Sequence, residues 1–253
     1  MDVTIRGRHA LVTGGGRGLG RAIAARLTAA GAHVSIIGRD AATLAEALTA
    51  GDVWATARAD VTDEAATHDA IAELAAKAPF DIVIANAGWA ETALFERSDN
   101  ALFRRMLDVN FMGVVTSFQA ALPGMRDRGF GRLIAIASTA GLRGYPAVSA
   151  YSAAKHAVVG LVRSLALEYA TSGITANAIC PGYTDTDLIR NGAEAIARKR
   201  GISLEDAKSL FAQDNPMKRL IAPEEVAESV LWLCSPAAAS ISGQAIAMNG
   251  GEF

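Results

Sequence analysis

His9-Ala-Leu-Val-Thr13-Gly14-Gly15-Gly16-Arg17-Gly18-Leu19-Gly20 decides how this chain folds. The run His9 to Thr13 reads as a buried strand, and the stretch from Leu19 to Ala30 as a helix. Between them lies a glycine turn. Glycines let the backbone approach a pyrophosphate closely, while the helix N-terminus presents free amides to its charge. The spacing Gly14-x-x-x-Gly18-x-Gly20 differs from the commoner Gly-x-Gly-x-x-Gly fingerprint, yet strand, turn and helix stand in the order such a site needs.

Outward from this turn, apolar runs and amphipathic stretches alternate. Strands are predicted near 9–13, 33–37, 54–59, 81–86, 131–138, 174–180 and 244–248, and helices near 18–30, 40–50, 63–77, 99–127, 150–171 and 223–235. Continuous apolar strands such as Ile82-Val-Ile-Ala85 predict an α/β fold, a doubly wound parallel sheet with helices on both faces and ligands at the carboxyl ends of the strands. Residues 187–218 break the alternation with mixed-polarity helical sequence, as expected of a lid over a site. No linker or charge block divides the 253 residues, so residues 1–253 read as one domain.

Apolar residues make up 51% of the chain and charged residues 20%, enough for a large core and unlike a disordered chain. A net charge of −2 without a basic stripe argues against nucleic acid as a partner. The start of the chain lacks a signal-peptide pattern, and no apolar run approaches the roughly 20 residues of a membrane span, so a cytoplasmic protein without membrane partners is expected. Cys180 and Cys234 lie in apolar segments, and the histidines at 9, 33, 68 and 156 have no ligand spacing; no metal site is expected. No Gly-x-Ser-x-Gly elbow supports a hydrolase.

Tyr151-Ser-Ala-Ala-Lys155 carries the chemistry, because four residues bring a phenol and an ammonium to one helix face. A cation beside the phenol is expected to pull its pKa down from roughly 10 toward the working range. Upstream, Gly131-Arg-Leu-Ile-Ala-Ile-Ala-Ser138 reads as a strand delivering a hydroxyl. Thr13 to Gly20, Asp60-Val61, Asn86-Ala87-Gly88, Asn110, Ser138, Tyr151 to Lys155, and Pro181-Gly182 with Thr186 together resemble the classical short-chain dehydrogenase/reductase family, nearly from end to end. The resemblance implies a single-domain Rossmann-type fold with seven strands in the order 3-2-1-4-5-6-7, and a homotetramer. It also implies hydride exchange between a nicotinamide cofactor and a secondary alcohol or ketone, with Tyr151 as general acid/base, Ser138 holding the carbonyl oxygen, Lys155 assisting the phenol and binding ribose, and Asn110 anchoring a water relay.

The same resemblance places the cofactor along Gly14, Arg17, Gly18, Leu19 and Gly20, with Asp60 and Val61 at the adenine and Asn86, Ala87 and Gly88 beneath the central sheet end. Pro181, Gly182, Thr184 and Thr186 would grip the carboxamide. Thr184 stands where valine or isoleucine is usual, a departure that backbone contacts tolerate. An acidic residue at the end of the second strand would select NAD(H); here Gly38 is followed by Arg39, and Arg17 resembles a second basic position, so NADP(H) is favoured over NAD(H). Asp40 is the competing feature, able to neutralise Arg39 or hold a hydroxyl.

The expected pocket wall comprises Trp89, Ala90, Thr139, Leu142, Tyr145, Tyr183, Leu188, Ile189 and Phe211, apolar with a few hydroxyls, which favours an apolar ketone or alcohol over a small carboxylate. Arg198-Lys199-Arg200 could meet coenzyme A phosphates, giving a 3-oxoacyl or 3-hydroxyacyl thioester as the alternative substrate. A non-catalytic Rossmann-type binding protein and an epimerase or dehydratase are the competing classes; the four catalytic residues oppose the first, the glycine spacing and short C-terminal part the second.

Overall fold

A computed structural model describes residues 5–213 and 215–253. Seven parallel strands, β1 (His9–Thr13), β2 (His33–Gly38), β3 (Ala55–Arg58), β4 (Ile82–Ala85), β5 (Gly131–Ile136), β6 (Ile174–Pro181) and β7 (Ala245–Met248), form one sheet in the order β3-β2-β1-β4-β5-β6-β7. The order reverses between β1 and β4, where a doubly wound sheet opens its ligand crevice.

Strand alternation builds two cores. Ala10, Val12, Ile82 and Ile84 point to one face, beneath α1 (Gly18–Ala29) and α9 (Pro223–Cys234). Leu11, Val83 and Ala85 point to the other, beneath α3 (Glu64–Ala75), α5 (Gly113–Arg128) and α6 (Ser149–Glu168). In the central strands β1, β4, β5 and β6 every side chain is thus removed from water on one face or the other, which explains their near-continuous apolar runs. The second helix, α2 (Ala41–Thr49), follows β2, and its N-cap is Asp40, whose carboxylate accepts the amides of Ala42 and Thr43.

One helix differs from the sequence expectation. The stretch near 99–127 is two helices, α4 (Asn100–Leu107) and α5, joined by a π-helical turn over Asp108–Met112. The wide turn accommodates Asn110, which is fully buried: its Nδ2 donates to the Met106 carbonyl at 3.1 Å and the Trp89 carbonyl at 2.8 Å, while Oδ1 accepts the Trp89 amide at 3.2 Å. The segment 187–218 carries α7 (Asp187–Arg200) and α8 (Leu204–Gln213). Among the described residues no helix is long and apolar enough to cross a membrane.

Candidate active site

The glycine turn fits a dinucleotide. Gly14 and Gly18 have φ of 65° and 51°, backbone that L side chains rarely adopt, and a Cβ on Gly20 would fall on the Gly14 carbonyl oxygen. Helix α1 starts from an extended Arg17 with no side-chain cap and no acidic residue in its first turn, leaving its amides to an anion, with Leu19 half-buried against the core. Asn86 braces the turn through Nδ2 to the Thr13 carbonyl at 2.9 Å, and Thr13 Oγ1 accepts the amides of Asn86 and Ala87. A Cβ on Gly18 would lie 4.0 Å from Thr186 Cβ, so the Pro181-Gly182 loop borders the turn. Thr184 folds back on itself, its hydroxyl donating to the Gly182 carbonyl at 3.1 Å. Val61 packs where α5 begins, a Cβ on Gly113 falling 3.0 Å from its Cβ.

Beyond β5, the extended backbone of Ser138 leads into a 3-10 turn, and its Oγ accepts the Ala140 amide at 3.1 Å. Helix α6 brings Tyr151 to hydrogen-bond Ser138. Lys155, one turn on, is buried, and its Nζ donates to the Ile136 carbonyl at 2.8 Å and lies 5.6 Å from the centre of the Tyr151 ring. A Cβ placed on Gly88 would meet Asn110 Oδ1 at 3.0 Å and Lys155 Nζ at 3.6 Å. Ser138, Tyr151, Lys155, Gly88 and Asn110 are therefore neighbours.

The electrostatics depart from the sequence expectation. Burial pushes the Tyr151 phenol up, and the hydrogen bond with Ser138 opposes this without reversing it. Burial also holds Lys155 down, to about 8, so the ammonium is a weakened cation. Cys180 is pushed up to about 11 and Cys234 to about 12 by burial, which makes both inert thiols.

At the end of β2, Arg39 lies beside Asp60, while Arg17, the second arginine of the sequence reading, is exposed just before α1. Arg39 Nη1 lies 3.4 Å from Asp60 Oδ2, in an open cleft of about 330 Å³ lined by Arg39, Arg58, Ala59 and Asp60. Arg58, missed because a charged residue in an edge strand reads as solvated, donates Nε to the Arg39 carbonyl at 2.9 Å. Asp40, committed to capping α2, leaves Arg39 to Asp60. Burial raises the Asp60 pKa, but hydrogen bonds from Thr62 and the Arg39 charge outweigh it and keep the carboxyl below its usual range.

Of the expected pocket wall, Trp89 and Tyr183 are exposed, and Tyr183 meets Phe211 of α8 edge-on at 5.3 Å. Thr139 and Ile189 are buried; the side chain of Leu188 lies outside the described residues.

Residues 8–197 match the short chain dehydrogenase family. Acetoacetyl-CoA reductase of Rhizobium meliloti (strain 1021) is 38% identical over 247 residues, 97% of this chain and 98% of the relative. Among solved structures, a variant of actinorhodin polyketide ketoreductase with NADPH superposes with a TM-score of 0.92 at 33% identity, covering 97% of each chain. L-sorbose reductase from Gluconobacter frateurii, complexed with NADPH and L-sorbose, gives a TM-score of 0.95 at 27% identity over 100% of this chain and 98% of its own. The chain belongs to the short-chain dehydrogenase family, and it is an NAD(P)-dependent oxidoreductase.

Proposed function

We propose that the protein interconverts an apolar ketone and its secondary alcohol, with NADP(H) preferred over NAD(H). The adjacency of Ser138, Tyr151, Lys155 and Asn110 carries this reading. When bound, the nicotinamide supplies or accepts the hydride. Ser138 holds the substrate oxygen as negative charge grows on it, and Tyr151, protonated at neutral pH, gives that oxygen its proton. Lys155 offsets the resulting phenolate charge and binds ribose hydroxyls. Asn110, fixed to Trp89 and Met106, orders the backbone behind the lysine for a water relay.

NADP(H) preference is supported by the cleft holding Arg39 and Arg58, where a 2′-phosphate would find two guanidiniums, and by the NADPH in both solved relatives. The chain acts as one domain whose residues 187–218 close over the substrate; Lys208 of α8, 3.3 Å from Asp185, ties this lid to the Pro181 loop. A 3-oxoacyl thioester is the second reading, favoured by the acetoacetyl-CoA reductase likeness and by exposed Arg198, Lys199 and Arg200 at the end of α7. The protein works in the cytoplasm as a homotetramer; free, buried Cys180 and Cys234 suit a reducing compartment.

The test is Tyr151→Phe, which removes only the hydroxyl. Turnover of neutral ketones and of 3-oxoacyl thioesters should fall by at least about a hundredfold while cofactor affinity survives. Retained turnover would overturn the assignment.

A further inference from the structure

The last turn of the chain meets Tyr145, a residue of the expected pocket wall, at one point. The Tyr145 hydroxyl donates to Glu252 Oε1 at 2.9 Å, and Arg143 Nη2 lies 3.1 Å from the same oxygen. The Arg143 guanidinium is also 4.6 Å from the centre of the Tyr145 ring and 5.1 Å from that of Phe253, an aromatic ring contacting it from each segment. Arg143 and Tyr145 are both fixed to the turn after Ser138: the Arg143 amide donates to the Thr139 carbonyl at 3.1 Å, Tyr145 hydrogen-bonds the Thr139 side chain, and Thr139 follows Ser138. The Glu252 side chain is only 15% exposed against 42% for Arg143, so the carboxylate sits inside the wall with the guanidinium outside it.

We propose that Glu252 determines substrate charge: it neutralises Arg143 and pins Tyr145, so that Arg143 is not free to receive a substrate carboxylate. The inference rests on the ketone-reductase reading and adds the residue that keeps the accepted ketone neutral. With Glu252 in place, a carboxylate near the reacting carbonyl meets a like charge and an occupied arginine, whereas an ester or hydrocarbon of the same shape meets neither.

The matched probes are ethyl acetoacetate, neutral, and acetoacetate, anionic, reduced by the full-length enzyme. Wild type should favour the ester. Glu252→Gln keeps the side-chain shape and an acceptor for Tyr145 but frees Arg143, and should shift the ratio of kcat/KM toward acetoacetate by about tenfold or more, the scale of one charge-assisted contact. The double variant Glu252→Gln with Arg143→Leu should return the ratio to the wild-type side, an outcome that loss of packing alone does not produce. An unmoved ratio in the single variant, or a shift that persists without Arg143, overturns the proposal. Failure of wild type to reduce either probe, or any other neutral ketone, with either cofactor overturns the reductase reading and this proposal with it.

Discussion

Lys155 Nζ and the Ile136 carbonyl oxygen are 2.8 Å apart, which ties the buried ammonium of α6 to the last residue of β5, two positions before Ser138. Because burial lowers this lysine to about 8, its charge is lost as the pH rises through that value. In the ketone-reducing direction kcat/KM should hold through neutral pH and fall about tenfold per unit above about pH 8; Tyr151, shifted upward, keeps its proton there. The folded state binds fewer protons than the unfolded chain between about 8 and the ordinary lysine value near 10.5, so this residue's contribution to stability rises with pH across that window. A rate profile flat to pH 10 would contradict the assignment.

Cofactor choice should depend on Arg39 and Arg58 together. Either one changed to alanine should weaken NADPH binding by about tenfold and leave NADH nearly unchanged, a modest effect because exposed charges are screened. Raising ionic strength should erode NADPH binding more than NADH binding. Titration by tryptophan fluorescence or calorimetry decides it, and equal losses for both cofactors would assign these arginines to the fold.

Asn110 is expected to matter for stability as well as turnover. Replacement by alanine leaves the Trp89 amide and the Trp89 and Met106 carbonyls without their buried partner, and should cost about 1–3 kcal/mol in urea unfolding. An unchanged midpoint would mean that water replaces the amide fully.

Association should run through exposed apolar residues. Leu167 on α6 is 82% exposed and Phe95 74%, whereas Leu161 and Leu165 face the chain's own core. Sedimentation of wild type at micromolar concentration should show a tetramer, and Leu167→Lys should shift it to smaller species without unfolding the subunit. A monomeric wild type would end this reading.

Most of the sheet was legible because burial on both faces writes each strand as an apolar run, as in Leu11-Val12 or Ile82 to Ala85; the strand order came from family resemblance. The adjacency of the candidate catalytic residues was legible by spacing and resemblance, since Tyr151 and Lys155 share one helix. What stayed hidden depends on distant partners. Nothing in Asp108 to Met112 breaks a helical pattern, and the π turn exists because Asn110 has Trp89 to bind. Arg58 acquires meaning only when β3 pairs with β2 and sets it beside Arg39. The lysine was expected to lower the tyrosine, but burial, which no local motif reports, raises the tyrosine and lowers the lysine itself.

The π turn is equivalent to a single residue inserted into what would otherwise be one helix, and each residue carries roughly 100° of rotation about the axis. It acts as a phase shifter: α4 presents its apolar side to α6, the bearer of Tyr151, while α5 turns its own toward α3 on the sheet. Removing one residue there would splice the two helices into register, leaving one of those two neighbours facing the wrong side of a continuous rod.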